Sequence, residues 1–466
     1  MNIMISKSNK WVNIMKSLEY ETNYYRRLIV GSETKIPLYN GRYVTAINFD
    51  NAATTPPFVS VMHEINNFAP WYSSIHRGTG YKSMLSSNIY ENSREIIKDF
   101  VKADKEDSTV IFIKNTTEAI NKLAYRLNEP RRKNVVLSTC MEHHSNDLPW
   151  RNKFKVDYIE LDETGRLSLD SLEHKLKKYR GAVGLVAVSG ASNVTGYKNP
   201  VYKIASIAHK YNAKILVDGA QLIPHSPFDM KPLNTPEHID YVVFSAHKMY
   251  APFGIGVLIG PKSTFEKGAP EYKGGGTVDL VTHDFIRWAN PPNKEEAGSP
   301  NILGVVALSA AVKMLSELGM ENVEAYEHKL LDYSLQKLRS VPHVKLWGDK
   351  GDRNDLQDHV AIITFNIKGM PHDMVASILS YEGGIAVRNG CFCAQPYVQR
   401  LLRLSDDDIK NRIQDPSMYH PGMVRISFGI YNNKNEVDIL IRLLHHIVKN
   451  KESYIEKYRN ISIPQL

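Results

Sequence analysis

The chain has 466 residues, with 58 Lys and Arg against 50 Asp and Glu for a formal charge of +8, and three cysteines. At about 100–200 residues per domain that length leaves room for more than one domain and a large core. Three cysteines, Cys140, Cys391 and Cys393, are too few and too odd in number for a secreted disulfide framework, so a small disulfide-stapled module is excluded and a reducing compartment is expected. The charge excess is modest and no basic run tracks a phosphate backbone, so nucleic acid is not an expected partner.

The first residues, MNIMISKSNKWVNIMKSLEYE, carry polar side chains where a signal peptide would carry its apolar centre. No apolar run approaches the ~18 residues that cross a bilayer. A cytoplasmic location without a membrane partner is the expectation. Residues 1–45 form an N-terminal segment to which no chemistry is assigned.

Over residues 46–312 short runs rich in Val and Ile alternate with stretches of helical period, the pattern of crossover units on a mostly parallel sheet with helices on both faces. The candidate strands are Ser108 to Asn115, Asn134 to Thr139, Val183 to Gly190, Ala213 to Ala220, Asp240 to Lys248 and Gly256 to Gly260. Between two of them Pro200 precedes Val201, Ile204, Ala205 and Ala208, whose spacing predicts an amphipathic crossover helix beginning after the proline. Over residues 313–466 long amphipathic helices flank strands such as HVAIITFNI, predicting a smaller α+β domain that carries a loop with Cys393 and a strand with Arg425.

Open parallel sheets bind ligands beyond the carboxyl ends of their strands, which directs attention to the polar residues after each apolar run. The first run is followed by Asn115-Thr116-Thr117-Glu118, with capping-box spacing. Thr116 and Thr117 then sit at a helix N-terminus suited to a phosphate, although a plain cap explains the same residues. The second run leads to Glu142-His143-His144-Ser145-Asn146, the third to Ser192-Asn193 and the fourth to Asp218-Gly219-Ala220-Gln221. Adjacent histidines rarely converge on one ion, and no metal is expected. An Asp at a strand end is often only a turn-former; Asp218 gains weight from its neighbours.

The fifth run ends Ser245-Ala246-His247-Lys248. A charged lysine at the inner end of a buried strand is costly, whereas a Schiff base removes the charge and makes the residue a covalent anchor. Pyridoxal 5'-phosphate needs such a lysine, an anion for its pyridinium nitrogen, donors for its phosphate and often an aromatic face over its ring. Lys248, Asp218, Thr116 and Thr117 with Ser245 and His247, and His143 supply these in turn.

Near the C-terminus stands the loop-like stretch Arg388-Asn389-Gly390-Cys391-Phe392-Cys393-Ala394-Gln395-Pro396. Two cysteines without a second pair favour a reactive thiol over a metal half-site, and a buried inert thiol is the plainer reading for one of them. Arg425 lies in the β-branched run VRISFG, where either a bound carboxylate or a structural salt bridge would satisfy it.

These stretches resemble class V, fold-type I pyridoxal-phosphate enzymes, and within them cysteine desulfurases of the SufS and selenocysteine lyase type. The resemblance rests on INFDNAATTPP, NTTEAIN, EHHSNDLPW, SNVTG, VDGAQLIPH, SAHKMYAPFGIGVL, EAGSPN, RNGCFCAQP and VRISFGIYNN, in the family's order. It implies that Lys248 bonds the cofactor, Asp218 pairs with its pyridinium and His143 stacks on its ring. Gln221 and Asn193 would address the ring hydroxyl and the substrate side, and Thr116, Thr117, Ser245 and His247 the phosphate. Gly275 and Ser299 would complete the phosphate site across a homodimer. Arg425, helped by Arg388, would bind the substrate carboxylate, and Cys393 would accept sulfur from L-cysteine or L-selenocysteine before passing it to an acceptor protein or thiol for iron-sulfur cluster or other cofactor assembly. The GCFCAQP loop and the long connection from Cys393 to Arg425 are also similar to the aminotransferase-like domain of molybdenum cofactor sulfurases. A class V aminotransferase, C–S lyase or amino-acid epimerase would share Lys248 and Asp218 without needing Cys393.

Overall fold

The computed structural model describes residues 24–128, 133–348, 357–415 and 417–459. The stretch read for a signal peptide, and about half of the segment 1–45, lie outside the described residues. Seven strands, β1 (Ser108–Ile113), β2 (Val135–Thr139), β3 (Lys155–Ile159), β4 (Val183–Ser189), β5 (Lys214–Asp218), β6 (Tyr241–Ser245) and β7 (Gly256–Pro261), form one sheet in the order β1-β7-β6-β5-β4-β2-β3. The pairs β2–β3, β2–β4, β4–β5 and β5–β6 are parallel. Only β7 runs against its neighbours β1 and β6. This is the mostly parallel α/β sheet that the alternating runs predict, in a fold-type I arrangement.

Every residue of β1, β2 and β6 is buried, as continuous apolar strands between two helical layers should be. Side chains alternate between two cores: Val110, Phe112, Val242 and Phe244 enter one, while Ile111, Ile113, Tyr241 and Val243 enter the other. Helix α1 (Thr116–Leu127) packs Ala119, Ile120, Leu123 and Ala124 into the second of these cores, and α2 (Val201–Lys210) packs Val201, Ile204, Ala205 and Ala208 into the first. β3 escaped the sequence reading because it is an edge strand whose residues are exposed or half-buried up to Ile159, leaving no apolar run to find. Helix α3 (Ile302–Leu318) is apolar almost all round because it is buried almost all round. Among the described residues no single helix is long and apolar enough to cross a membrane.

A second, antiparallel sheet follows, with β8 (Val344–Trp347), β9 (Ile362–Ile367), β10 (Arg388–Gly390) and β11 (Met423–Ser427) in the order β8-β9-β11-β10. Helices α4 (Met320–Arg339), α5 (His372–Gly383), α6 (Gln395–Leu402) and α7 (Lys434–Lys449) accompany it. Leu330, Leu331, Val375, Leu379, Val437, Leu440 and Leu444 close its core against Phe365 and Ile426. Ile47 and Phe49, early in the chain, pack into this same core, and Ile47 pairs in parallel with Ile385. Asp50 consequently bridges to Ser427 on β11.

Gly256 joins the two sheet edges that matter most, pairing with both Ile113 and Ser245. A methyl group there would stand 2.8 Å from Asn115 Cα and 2.9 Å from Phe244 O. Both are backbone atoms that cannot rotate aside. Gly256→Ala is expected to destabilise the protein by ~1–3 kcal/mol, the usual cost of overpacking, read as a lower urea midpoint at unchanged slope.

Candidate active site

The carboxyl ends of β2, β4, β5 and β6 open on one cavity, as does the N-terminus of α1. Thr116, Thr117, His143, Asn193, Asp218, Gln221, Ser245, His247, Lys248, Arg388, Cys393 and Arg425 all line it. Gly275 and Ser299 do not. They share another cavity with Tyr72, His76 and Glu296, and the Gly298 N–H donates to Gly275 O at 2.8 Å.

Lys248 lies one turn beyond its strand. β6 stops at Ser245, and Ala246–Lys248 form a short 3-10 turn instead of continuing the strand as the apolar run predicts. The His247 carbonyl is turned away to accept the Thr55 N–H at 2.9 Å and the Thr54 hydroxyl at 2.9 Å. Lys248 is half-buried at the cavity, and desolvation pulls its pKa down to about 8 against the opposing pull of Asp218. Asp218 is itself buried, which raises its pKa; the Ala220 N–H, 3.0 Å away, and Lys248 resist that rise. Burial also holds His247 down to about 4.

At the head of α1 the Asn115 side chain accepts the Glu118 N–H at 3.0 Å. The reciprocal half of the expected capping box is displaced by one residue, because Glu118 Oε2 accepts from the Lys114 N–H at 2.8 Å. The Thr116 N–H donates to Ser245 Oγ at 2.8 Å, and the two hydroxyls lie 2.8 Å apart. Thr117 Oγ1 is 2.7 Å from Ser145 Oγ, which is 3.0 Å from His143 Nδ1. His143 Nδ1 accepts the Ser145 N–H at 3.1 Å, so a neutral ring carries its proton on Nε2. Burial and Lys248 push the His143 pKa down to about 3 and keep it neutral near neutral pH. Beneath it the buried Glu142 accepts from Ser189 N–H and Oγ at 3.0 and 2.6 Å, from Asn146 Nδ2 at 2.7 Å and from Thr139 Oγ1 at 2.5 Å. These four donors tie the end of β2 to the end of β4.

The stretch from Arg388 is less loop-like than its composition predicts: Arg388–Gly390 is strand β10 and Gln395 opens α6, leaving a short turn at Cys391–Ala394. Phe392 and Cys393 both take the left-handed conformation, with φ of 53° and 54°. Three bonds hold them there. Asn193 Nδ2 donates to Phe392 O at 2.7 Å, the His144 N–H donates to Cys393 O at 2.7 Å, and the Gln395 N–H donates to His144 Nε2 at 3.2 Å. Cys393 is exposed at the cavity, while Cys391 is half-buried, its thiol donating to Pro421 O at 3.4 Å and its pKa raised by burial.

Arg388 and Arg425 are directly opposed across β10 and β11, an arrangement of like charges that is unfavourable on its own. Asp50 offsets it, with Oδ1 3.1 Å from Arg425 Nη2 and Oδ2 3.7 Å from Arg388 Nη1. Arg425 Nη1 also donates to Asn193 O at 2.9 Å, and its guanidinium lies 5.0 Å from the centre of the Phe392 ring. The salt bridge to Asp50 is therefore present, and the buried Nε of Arg425 keeps no hydrogen-bond partner. Glu142, His144 and Ser145 were named after the second run without a role in the site, and Asp50 was not named. Asp50 lay within the quoted INFDNAATTPP stretch, and the other three lay in EHHSNDLPW, so the motifs held the signal while single-residue reasoning passed over it.

With this geometry in view, the comparisons are consistent. The family described as Aminotransferase class-V matches residues 47–440. The chain belongs to that family. It is 35% identical over 418 residues to a probable cysteine desulfurase of Halalkalibacterium halodurans, covering 88% of this chain and 94% of that one. It is 34% identical to a cysteine desulfurase of Haloferax volcanii, covering 85% and 88%. Among solved structures it is similar to the apo cysteine desulfurase of Thermococcus onnurineus, with a TM-score of 0.77 at 32% identity over 87% of this chain and 95% of that one. It also resembles the cysteine desulfurase CsdA of Escherichia coli in its S-sulfonic acid form, with a TM-score of 0.74 at 26% identity over 92% and 98%.

Family membership implies pyridoxal phosphate, and the residues fit it. Gln221 Nε2 donates to Ala52 O at 2.8 Å, which leaves its buried Oε1 at the cavity without a partner. A half-buried amine, a buried carboxylate, a neutral imidazole and the donors at the head of α1 line the same cavity. An amine attacks an aldehyde only when unprotonated. Capture of pyridoxal phosphate by the apoprotein, fixed with borohydride as a label on Lys248, is therefore expected to quicken as pH rises and to level off above about 8. Peptide mapping across pH 6–10 measures this.

Proposed function

We propose that this protein is a pyridoxal-phosphate-dependent cysteine desulfurase that converts L-cysteine to L-alanine and leaves the sulfur on Cys393 as a persulfide. The observation that carries this reading is the exposed Cys393 thiol, lining the same cavity as the Lys248 amine. A transaminase, lyase or epimerase needs the amine and has no use for the thiol.

Lys248 would hold the cofactor, with Asp218 at its ring nitrogen, His143 over the ring and Thr116, Thr117, Ser245 and His247 around the phosphate. When bound, the cofactor supplies an electron sink for negative charge at the substrate Cα. Arg425 and Arg388 bind the substrate carboxylate, which competes with Asp50 for the same guanidinium groups. Asn193 fixes Arg425 through its carbonyl and the cysteine turn through its amide, so carboxylate and thiol positions are set by one residue. Lys248, as a neutral amine, takes the Cα proton and returns it. Cys393 thiolate attacks the substrate sulfur as the Cβ–S bond breaks. The carbon keeps the bonding pair and gains a proton to become the methyl group of alanine, and the sulfur remains as Cys393–S–SH. An acceptor thiol then removes that sulfur by exchange.

A homodimer, in which Gly275 and Ser299 of one copy complete the phosphate site of the other, accounts for their position away from Lys248 within one chain. Three free cysteines support a reducing, cytoplasmic setting, and iron-sulfur or other sulfur-cofactor assembly is the proposed destination of the sulfur.

After L-cysteine treatment without reductant, the peptide bearing Cys393 should gain about 32 Da, one persulfide sulfur. Cys393→Ala should keep the cofactor's visible absorbance and lose alanine formation, while Cys391→Ser keeps both. An adduct on Cys391, or pyruvate in place of alanine, would overturn the assignment. Arg425→Lys keeps the charge but loses the planar fork, and should lower kcat/KM for L-cysteine by about 10–100-fold, mainly through KM, as expected for a lost charged hydrogen bond.

A further inference from the structure

We propose that Glu142 is a positioning residue: it fixes the 141–146 loop against the end of β4 and thereby sets the His143 ring and the Cys393 thiol together. What those two groups do is taken from the desulfurase reading above; how they are held is independent of it. Glu142 is 3% exposed and takes no part in lining the cavity. Any effect it has on the reaction therefore passes through its neighbours.

Each carboxylate oxygen takes one N–H donor and one hydroxyl. Oε1 accepts the Ser189 N–H at 3.0 Å and the Thr139 hydroxyl at 2.5 Å, and Oε2 accepts Asn146 Nδ2 at 2.7 Å and the Ser189 hydroxyl at 2.6 Å. All of these partners are neutral, and burial raises the Glu142 pKa to about 7 against them. A buried carboxylate without a counter-charge is tolerated only while its donors are complete. Two of them belong to Ser189, the last residue of β4, which lies opposite Asp218 in the sheet; the next N–H, of Gly190, donates to Asp218 O at 2.7 Å. The other two come from Thr139 and Asn146, the two ends of the loop. One carboxylate thus closes the loop on itself and pins it to the strand beside Asp218.

Two consecutive residues carry the loop's position to the chemistry. His143 lines the cavity, its Nδ1 accepting the Ser145 N–H at 3.1 Å, and Ser145 Oγ lies 2.7 Å from Thr117 Oγ1 at the head of α1. His144 reaches the cysteine turn: its N–H donates to Cys393 O at 2.7 Å and its Nε2 accepts the Gln395 N–H at 3.2 Å. Asn193 holds Phe392 O from the β4 side at 2.7 Å, so the carboxylate that joins the loop to β4 also keeps these two supports of the turn in step. An amide cannot replace it. Glu142→Gln brings an NH₂ against an N–H donor whichever way it turns, Ser189 at one oxygen and Asn146 at the other, and Asn146 Oδ1 already accepts the Trp150 Nε1–H at 3.2 Å. Adding Asn146→Asp gives that NH₂ an acceptor and moves the carboxylate one partner along the same network.

The test uses the cofactor-loaded protein at a pH above 7, where the carboxylate is ionised. It reads the visible circular dichroism of the bound cofactor, the rate at which iodoacetamide alkylates Cys393, and alanine formation. Glu142→Gln is expected to change the dichroism and the alkylation rate together and to lower kcat by ~10–100-fold, the scale of a small misplacement of reacting groups, with KM changed less. Glu142→Gln with Asn146→Asp should return all three toward the wild type. Thr139→Val, which removes one donor of the four, should move the same readouts in the same direction by less. It carries the test if Glu142→Gln loses its cofactor, and unchanged readouts in it then count against the proposal. A Glu142→Gln protein with a lower thermal midpoint but wild-type dichroism and alkylation would overturn the proposal, as would movement of one readout without the other or failure of Asn146→Asp to rescue. Neither of those readouts requires desulfuration, so a wild type that forms no alanine sinks the function proposed above and not the role of Glu142.

Discussion

The placing of two ionisable groups, the Lys248 amine and the buried Asp218 carboxylate, at one cavity among apolar strands is the constraint around which this molecule is built. A charge in such surroundings is costly unless it is compensated, and the two side chains come from different elements, Asp218 from the end of β5 and Lys248 from the turn after β6. Bringing both to one cavity requires β5 and β6 to lie side by side in parallel, as they do, with Asp218 opposite Val243 and β6 running two residues further to Ser245. The continuous apolar runs on either side follow from that demand. A strand that carries an ionisable group at its tip and is covered on both faces must be apolar along its whole length.

The second sheet contributes the opposite kind of site. Where the large sheet offers a floor of polar groups at its strand ends, β10 and β11 offer two facing guanidinium groups with a single carboxylate between them. Asp50 reaches that place because the segment holding Ile47 and Phe49 is packed into the second core before the chain enters the first sheet. The cysteine turn belongs to the second sheet by sequence but is fastened to the first by Asn193 and His144. Floor, carboxylate site and thiol are thus held in one frame by bonds that cross between the sheets.

Much of this was legible in the sequence for physical reasons. Buried parallel strands write themselves as Val- and Ile-rich runs, and the residues after each run name the cavity; twelve of the fourteen expected site residues line it. β3 was not legible, because an edge strand has no need of an apolar run. What Asp50 and His144 do was missed for another reason. Their roles depend on partners hundreds of residues away, Arg425 for the first and Gln395 for the second, and no local pattern encodes such a meeting. The displaced half of the capping box at Glu118 was a matter of one residue, finer than spacing can resolve.

The conformation of the cysteine turn bears on how such a protein could change over evolutionary time. Phe392 and Cys393 occupy a backbone region that glycine enters freely, and the bonds that hold the turn are made to main-chain atoms. A mutation of the thiol to glycine would leave the shape of the turn and the floor of the cavity in place. One codon then separates a sulfur-accepting lineage from a thiol-free descendant that keeps the same lysine amine, and the two chemistries can diverge without refolding the scaffold.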